Sequence, residues 1–279
     1  METADRAELI PQIGKYFSAT IIITWIVWLP ALLIRNYELV VPIPYDVFIK
    51  IGSFVPTLVA LFLIYKYDGS EGIRLICRSL INFRIRIEWL FFIFLVLPGV
   101  LIASYVILRI SGGNLPRMGI DPRFIPIAFL YVLIFLGPLG EEIGWRGFAL
   151  KRILRNTPPI QAAIFVGSIW SIWHLPLFLI NGTTQNALAK FGLLPAFFGY
   201  MLYTVMLSIL ITLLFVKCNA NIFGSILFHT VSNLSQGVLP LIFSKNGAMI
   251  ELLILCMVTA GFVYGFREIM FSKTRLTGV

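Results

Sequence analysis

Two adjacent glutamates, Glu141 and Glu142, are followed four residues after the second by Arg146. The three charges come soon after an apolar run, residues 124–136, in a chain that is 59% hydrophobic and 13% charged. A charged side chain at the centre of a bilayer costs roughly 2.5–3.5 kcal/mol even on lenient insertion scales. Charges placed there at such a cost indicate a function, so these residues are the first candidates for chemistry.

Helical spacing separates the roles of the two glutamates. Glu142 and Arg146 lie four residues apart, so they can pair along one face of a helix and neutralise each other. Glu141 is turned by about 100° from Glu142 and has no such local partner. We therefore expect Glu142 and Arg146 to support a site and Glu141 to remain available for chemistry.

The chain has two histidines, His174 and His229, and both fall inside predicted membrane segments. A single histidine on an apolar face is more often a core residue, but two beside an intramembrane carboxylate pair indicate a functional set. Ser225 and Asn233 flank His229 at a spacing of four, so the three form a polar stripe on one helix. Because lipid does not tolerate such a stripe, it predicts a water-filled crevice with Ser225 as a candidate pocket residue.

These groups suit hydrolysis without a covalent nucleophile. A carboxylate and a histidine in a partly dehydrated site can share a water molecule and deprotonate it. A second histidine with an asparagine one turn away, as in His229 and Asn233, offers hydrogen-bond donors to an oxyanion. The set of Glu141, His174 and His229 is also sufficient to hold zinc, although the sequence contains no HExxH motif. A serine nucleophile is disfavoured because no nucleophile motif surrounds a serine.

Apolar segments long enough to cross a bilayer recur along the whole chain, and its mean hydropathy is +0.92. The sequence predicts an all-α, polytopic membrane protein with about eight transmembrane helices. Residues 1–279 are expected to form a single membrane domain with a catalytic core at about 124–240. The predicted spans are roughly 16–34, 47–65, 89–108, 124–140, 159–180, 192–216, 222–239 and 248–266.

Eight spans put both termini on the same side of the membrane. The loops on that side carry about twice as many Lys and Arg residues as the opposite loops, so the positive-inside rule places both termini in the cytoplasm. Glu141 is then expected toward the cytoplasmic face, in a conical polar cavity of the second half that opens to the cytoplasm. The net charge of +9 lies in short loops beside the spans, which favours a lipid bilayer over nucleic acid as partner.

Three motifs, in order on successive predicted spans, resemble those of the CPBP family, which contains CAAX prenyl endopeptidases and bacteriocin-processing or immunity proteins. The family's EExxxR motif is similar to EEIGWR at 141–146, and its HxxxN motif to HTVSN at 229–233. Its FxxxH motif resembles WSIWH at 170–174, with Trp170 in place of Phe. Since this exchange replaces one aromatic residue by another, we expect it to reshape the pocket and to leave the chemistry unchanged.

The resemblance implies an intramembrane endopeptidase of the type II CAAX prenyl kind. In that family the first glutamate of EExxxR and the FxxxH histidine activate a water molecule, and the HxxxN pair stabilises the oxyanion. The second glutamate and the arginine of EExxxR support the site. The expected site thus comprises catalytic Glu141, His174, His229 and Asn233, supporting Glu142 and Arg146, and pocket candidates Trp170 and Ser225.

The implied substrate is a membrane-anchored protein or peptide, isoprenylated at a C-terminal CaaX-like sequence, that loses its last three residues on the cytoplasmic side. No cofactor is implied, with zinc as the alternative. The chain is expected to be an integral protein of the cell membrane or an endomembrane. Two other interpretations are a non-catalytic immunity or scaffold protein of the same family, and a proton-coupled transporter that uses the same polar groups as a relay.

Overall fold

The computed structural model describes residues 2–273, and over that range the protein consists of helices and loops without a β-strand. The α-helices are α1 (Glu2–Tyr37), α2 (Tyr45–Leu80), α3 (Ile87–Ile110), α4 (Ile125–Phe135), α5 (Pro138–Glu142), α6 (Lys151–Ile153), α7 (Pro159–Trp173), α8 (Thr184–Ala189), α9 (Leu193–Lys217), α10 (Ile222–Val238), α11 (Lys245–Gly265) and α12 (Arg267–Met270). A π-helical segment, Ile143–Leu150, joins α5 to α6, and short 3₁₀ turns occupy Pro122–Phe124, Leu175–Phe178 and Leu241–Phe243.

Six helical segments of the described residues are long and apolar enough to cross a membrane. Many of their apolar side chains are exposed, as at Ile26 (63%) and Leu95 (58%), which is typical of surfaces that face lipid. The predicted class of all-α polytopic membrane protein is therefore confirmed. The predicted spans at 159–180 and 222–239 contain α7 and α10, whose 15 and 17 residues are fewer than the roughly 20 that a bilayer requires. The number of eight spans and the side of the termini stay predictions.

The segment that carries the two glutamates departs from the prediction. The expected span at 124–140 is instead part of one interrupted apolar segment, Pro122–Ile153. Its first helix, α4, ends at Phe135, and the chain turns at Gly137, whose φ of 108° favours glycine, before Pro138 starts α5. The charges of residues 141–152 resemble the end of a span in the sequence, but Glu141, Glu142 and Arg146 are buried within the segment, and Arg152, also buried, pairs with the half-exposed Asp68.

Two shorter predictions also need correction. The helix expected at 159–180 ends at Trp173, because Pro176 follows and the chain continues as the 3₁₀ turn Leu175–Phe178. Between the predicted spans 47–65 and 89–108 the sequence predicts a basic connection with a short interfacial helix, and the structure has a longer helix there, since α2 continues beyond a break at Gly69 and ends at Leu80. His174 is therefore the first residue after α7 and does not lie inside a long continuous helix.

Helices of the first half pack against helices of the second half. Helix α7 packs along α9, α1 along α2, and α3 along both α10 and α11. Helix α2 also lies against α5 and the π-helical segment. A Cβ atom added at Gly144 would meet the hydroxyl of Tyr16 and the backbone carbonyl of Pro56, so the glycine allows close approach of these helices.

Candidate active site

Glu141 is held from two sides in the interior of the protein. Its side chain is 4% exposed, and Oε2 accepts a hydrogen bond of 2.7 Å from the indole Nε1 of Trp170. Its other oxygen, Oε1, occupies the space that a Cβ atom at residue 137 would need. Gly137 is thus required both for its positive φ and to leave room for the carboxylate.

Glu142 and Arg146 form the predicted pair within the interrupted segment. The distance from Arg146 Nη1 to Glu142 Oε1 is 2.8 Å, and both side chains are fully buried. The guanidinium also lies over the ring of Trp170, at 4.8 Å from its centroid. The same Glu142 oxygen accepts a second hydrogen bond of 2.8 Å from His229 Nδ1. Glu142 therefore connects the arginine to the second motif histidine, which the sequence did not predict.

His174 has a fixed ring orientation. It follows the last residue of α7, and its Nδ1 lies 2.8 Å from the backbone carbonyl oxygen of Trp170. A carbonyl oxygen only accepts, so Nδ1 carries the proton and donates. In the neutral ring, Nε2 is then left with a lone pair that can accept a proton from a water molecule.

His229 and Asn233 lie one turn apart on α10. Since the carboxylate of Glu142 accepts from His229 Nδ1, the second ring nitrogen of His229 is left for another partner. The amide Nδ2 of Asn233 donates a hydrogen bond of 3.1 Å to the backbone carbonyl of Leu136, next to the turn at Gly137. A primary amide has two N–H donors, so the second remains for a ligand.

One cavity collects these groups. Its volume is about 720 Å³, and its lining includes Glu141, Trp170, His174, His229 and Asn233. This size lies within the range of pockets that take small molecules or peptide segments. Much of the remaining lining is apolar. The four residues predicted to be catalytic therefore do meet, although their chemical roles stay predictions.

Two predictions about the pocket differ from the structure. Ser225 is buried and is not part of the cavity lining; its hydroxyl lies 3.4 Å from the backbone carbonyl of Asn221. A spacing of four residues drifts by about 40° per step, so Ser225 is turned by about 40° from His229 and by about 80° from Asn233. The exchange of Phe for Trp170 also has a chemical consequence, because the indole N–H that bonds to Glu141 has no counterpart in phenylalanine.

Several cavity residues were not found from the sequence. Glu251 on α11 is 2% exposed and accepts a hydrogen bond from Gln236, which also lies 3.4 Å from the hydroxyl of Tyr203. Tyr200 packs its ring edge-on against His174, with centroids 5.4 Å apart. The signal for Glu251 was a carboxylate inside the apolar run 248–266, the same signal that identified Glu141.

The residues named for a zinc site do not have the geometry of one. Among residues 9–273, whose side chains the structure describes, no group of three or more His, Cys, Asp or Glu lies close enough together to hold a metal ion. The arrangement gives no support to zinc, and the metal-free site stays a prediction.

Comparison with known proteins agrees with the motifs. Residues 123–235 match the family model of type II CAAX prenyl endopeptidases, described as Rce1-like. The chain is also similar to CAAX prenyl protease 2 of Methanococcus maripaludis, with 26% identity over 269 residues that cover 92% of this chain and 95% of the relative. These matches support a CAAX-type intramembrane protease and agree with the family resemblance: residues 123–235 of this membrane protein are similar to the Rce1-like type II CAAX prenyl endopeptidases.

Proposed function

We propose that the protein is an intramembrane endopeptidase that hydrolyses a peptide bond with a water molecule activated by Glu141 and His174. One observation carries this proposal. Trp170 orients both groups at once, because its indole N–H donates to Glu141 at 2.7 Å and its backbone carbonyl accepts from His174 at 2.8 Å. A carboxylate and a neutral imidazole with a free lone pair, both on one cavity, suit general-base catalysis.

In the proposed step, Glu141 takes a proton from a water molecule, and His174 Nε2 accepts a hydrogen bond from its other proton. The water oxygen bonds to the scissile carbonyl carbon, and the electron pair of the C=O bond moves to the carbonyl oxygen. The tetrahedral intermediate then breaks its C–N bond, and the proton held by Glu141 passes to the leaving amine. The products are a carboxylic acid and a free amine, so no covalent enzyme intermediate is required.

His229 and Asn233 are proposed to stabilise the negative oxygen of that intermediate. Both line the same cavity as Glu141. His229 donates through Nε2–H in its protonated form, whose charge Glu142 offsets at Nδ1, and Asn233 donates through the N–H that is not bonded to the backbone carbonyl of Leu136. Donors placed before the reaction starts stabilise developing charge without reorganisation.

The proposed substrate is a membrane-anchored protein or peptide with an isoprenylated C-terminal CaaX-like sequence, from which the last three residues are released. The name of the relative, CAAX prenyl protease 2, supports this substrate class. The predominantly apolar lining of a 720 Å³ cavity also suits a lipid-modified peptide. We further propose that the cavity opens to the cytoplasm and that no metal takes part.

The test is incubation of the purified protein with a farnesylated CaaX peptide in detergent, with the products identified by mass spectrometry. The proposal predicts release of the C-terminal tripeptide, with equal rates before and after a strong chelator is added. Cleavage of an unprenylated peptide at the same rate would contradict the proposed substrate class. Failure to cleave either peptide would favour the non-catalytic immunity or scaffold interpretation, or the transporter.

A further inference from the structure

The cationic residues among those that line the cavity are Lys50 and Lys245. An enzyme that releases a tripeptide must locate the C-terminus of its substrate, and that end carries a carboxylate. In an apolar cavity a carboxylate requires a cation or several hydrogen-bond donors. The two lysines are therefore the residues to compare.

Lys50 lies close to the catalytic glutamate along α2. The hydroxyl of Thr57 donates a hydrogen bond of 3.3 Å to the backbone carbonyl of Leu139. One turn earlier, the backbone of Ser53 is in contact with Gly140, the residue before Glu141. Lys50 is one turn earlier again, which places its backbone about 4.5 Å along the helix from Ser53.

The position of Lys50 matches the length of the leaving group. Three extended residues span about 10 Å, so the terminal carboxylate of a released tripeptide lies about that far from the scissile bond. The ammonium of Lys50 lies at a similar distance from the contact with Gly140, because one helical turn of backbone and the length of a lysine side chain separate them. The ammonium nitrogen lies 5.4 Å from the ring centroid of Tyr131, so its side chain is already oriented on an aromatic wall.

Lys245 lies too far from the reacting groups. Along α10, Gln236 is seven residues after His229, a rise of about 10 Å. Gln236 contacts Glu251 on the neighbouring α11, and Lys245 is six residues before Glu251, a further rise of about 9 Å in the same direction. The backbone of Lys245 is thus about 20 Å from His229 along the helices, a distance that a lysine side chain shortens but does not reduce to the length of three extended residues.

We propose that Lys50 binds the C-terminal carboxylate of the substrate and so fixes the cleavage position relative to the chain end. This inference rests on the proposed function, because a substrate cut near its C-terminus is what brings a carboxylate to this part of the cavity. Lys50 is a specificity-determining residue in this account, and the group it recognises is a free α-carboxylate of any sequence.

Asp46 forms an ion pair with Lys50 in the protein without substrate. Its Oδ2 lies 2.8 Å from Lys50 Nζ, one turn apart on α2, and its side chain is 46% exposed. A half-exposed ion pair of this kind contributes little to stability. The ammonium of Lys50 can therefore leave Asp46 and bind another carboxylate. Asp46 therefore competes with the substrate carboxylate, and its removal is expected to strengthen recognition of the chain end.

The experiment compares two farnesylated peptides that differ only in a C-terminal carboxylate or carboxamide. The ratio of their kcat/KM values is measured for the wild type, Lys50→Met, Lys50→Arg and Asp46→Asn, with Lys245→Met as matched control. We expect the wild type to prefer the acid by about tenfold or more. The ratio is expected to approach one in Lys50→Met, to be partly kept in Lys50→Arg, to rise in Asp46→Asn and to stay at the wild-type value in Lys245→Met.

A binding measurement separates this inference from the proposed function. Affinities of the acid and amide peptides are measured for Glu141→Gln and for Glu141→Gln combined with Lys50→Met. Preferential binding of the acid peptide by Glu141→Gln that disappears in the double variant supports the role of Lys50. This holds even if the wild type cleaves neither peptide, a result that would refute only the proposed function. A wild-type ratio near one, or a ratio that Lys50→Met leaves unchanged, would overturn the role of Lys50.

Discussion

At the scale of single residues, Trp170 connects the groups of the site. Its indole N–H bonds to Glu141, its backbone carbonyl to His174, and its ring lies under the guanidinium of Arg146 and against the edge of His229. A phenylalanine at this position would keep the ring contacts and lose the hydrogen bond to Glu141. The identity of residue 170 therefore bears on the orientation of the carboxylate, beyond the shape of the pocket.

Trp170→Phe tests that hydrogen bond. A hydrogen bond to a charged group contributes about 1.5–3 kcal/mol, so we expect kcat/KM for the reporter peptide to fall roughly tenfold or more while the protein stays folded. The control is Trp173→Phe, since the indole nitrogen of Trp173 has no hydrogen-bond partner among the described residues. Equal effects of the two substitutions would argue that loss of ring volume, rather than the bond to Glu141, determines the rate.

Arg146→Met tests the buried charge pair. Removal of the guanidinium leaves Glu142 as a fully buried carboxylate with His229 as its remaining hydrogen-bond partner among the described residues, and breaking such pairs typically costs about 3–5 kcal/mol. We expect a clear loss of thermal stability together with loss of activity. Thermal unfolding in detergent measures the first effect.

The matched control for that prediction is Arg74→Met. Arg74 and Glu71 form a pair of 2.6 Å on the surface, with more than half of each side chain exposed. Removal of such a pair changes stability by about 0–1 kcal/mol. Similar melting temperatures for Arg146→Met and the wild type would contradict a structural role for the buried pair.

At the scale of helices, the sequence predicted which elements meet and missed how two of them end. Hydropathy identifies apolar length, and charged residues normally mark the end of a span, so residues 141–152 were placed at a boundary. A buried pair with Glu142 instead lets Arg146 remain inside the segment, and Arg152 pairs with the half-exposed Asp68. Pairing between distant residues is not visible in the local pattern of one sequence.

The motif residues were predictable because their chemistry is rare in membrane segments. Glu141, His174 and His229 are polar groups that lipid would exclude, and the structure places them on one cavity. The prediction that Ser225 lines the pocket was wrong because helical spacing shows which face of α10 a residue lies on but not which neighbouring element packs over that residue. The carbonyl of Trp170 and the turn at Gly137 were not predictable, since both depend on where a helix ends.

Gly144→Ala tests the close approach of the π-helical segment to α1 and α2. An added Cβ atom would overlap Tyr16 and the backbone of Pro56, and overpacking of this kind costs typically about 1–3 kcal/mol. We expect a lower melting temperature for Gly144→Ala. Gly99→Ala is the matched control, because Gly99 lies inside α3 with open space around it and alanine favours helix. A destabilisation by Gly99→Ala as large as that by Gly144→Ala would contradict the packing argument.

At the scale of the whole molecule, the orientation of the protein in the membrane is predicted from the charges of its loops alone. The positive-inside rule places the loop around residue 84 in the cytoplasm and the loop around residue 114 on the opposite side. In a cysteine-free background, Arg84→Cys should react with a membrane-impermeant thiol reagent only when the cytoplasmic face is accessible. Asn114→Cys should react from the other face. Labelling of both from the same face would refute the arrangement of eight spans.

The proposed mechanism depends above all on Glu141, which activates the water that cleaves the substrate. The most direct measurement is the rate of tripeptide release from the farnesylated peptide by wild type and by Glu141→Gln, at equal folded fractions verified by thermal unfolding. General-base catalysis contributes about 10²–10⁴-fold, so we expect a loss of that order in Glu141→Gln. A folded Glu141→Gln protein that releases the tripeptide at the wild-type rate would contradict the mechanism.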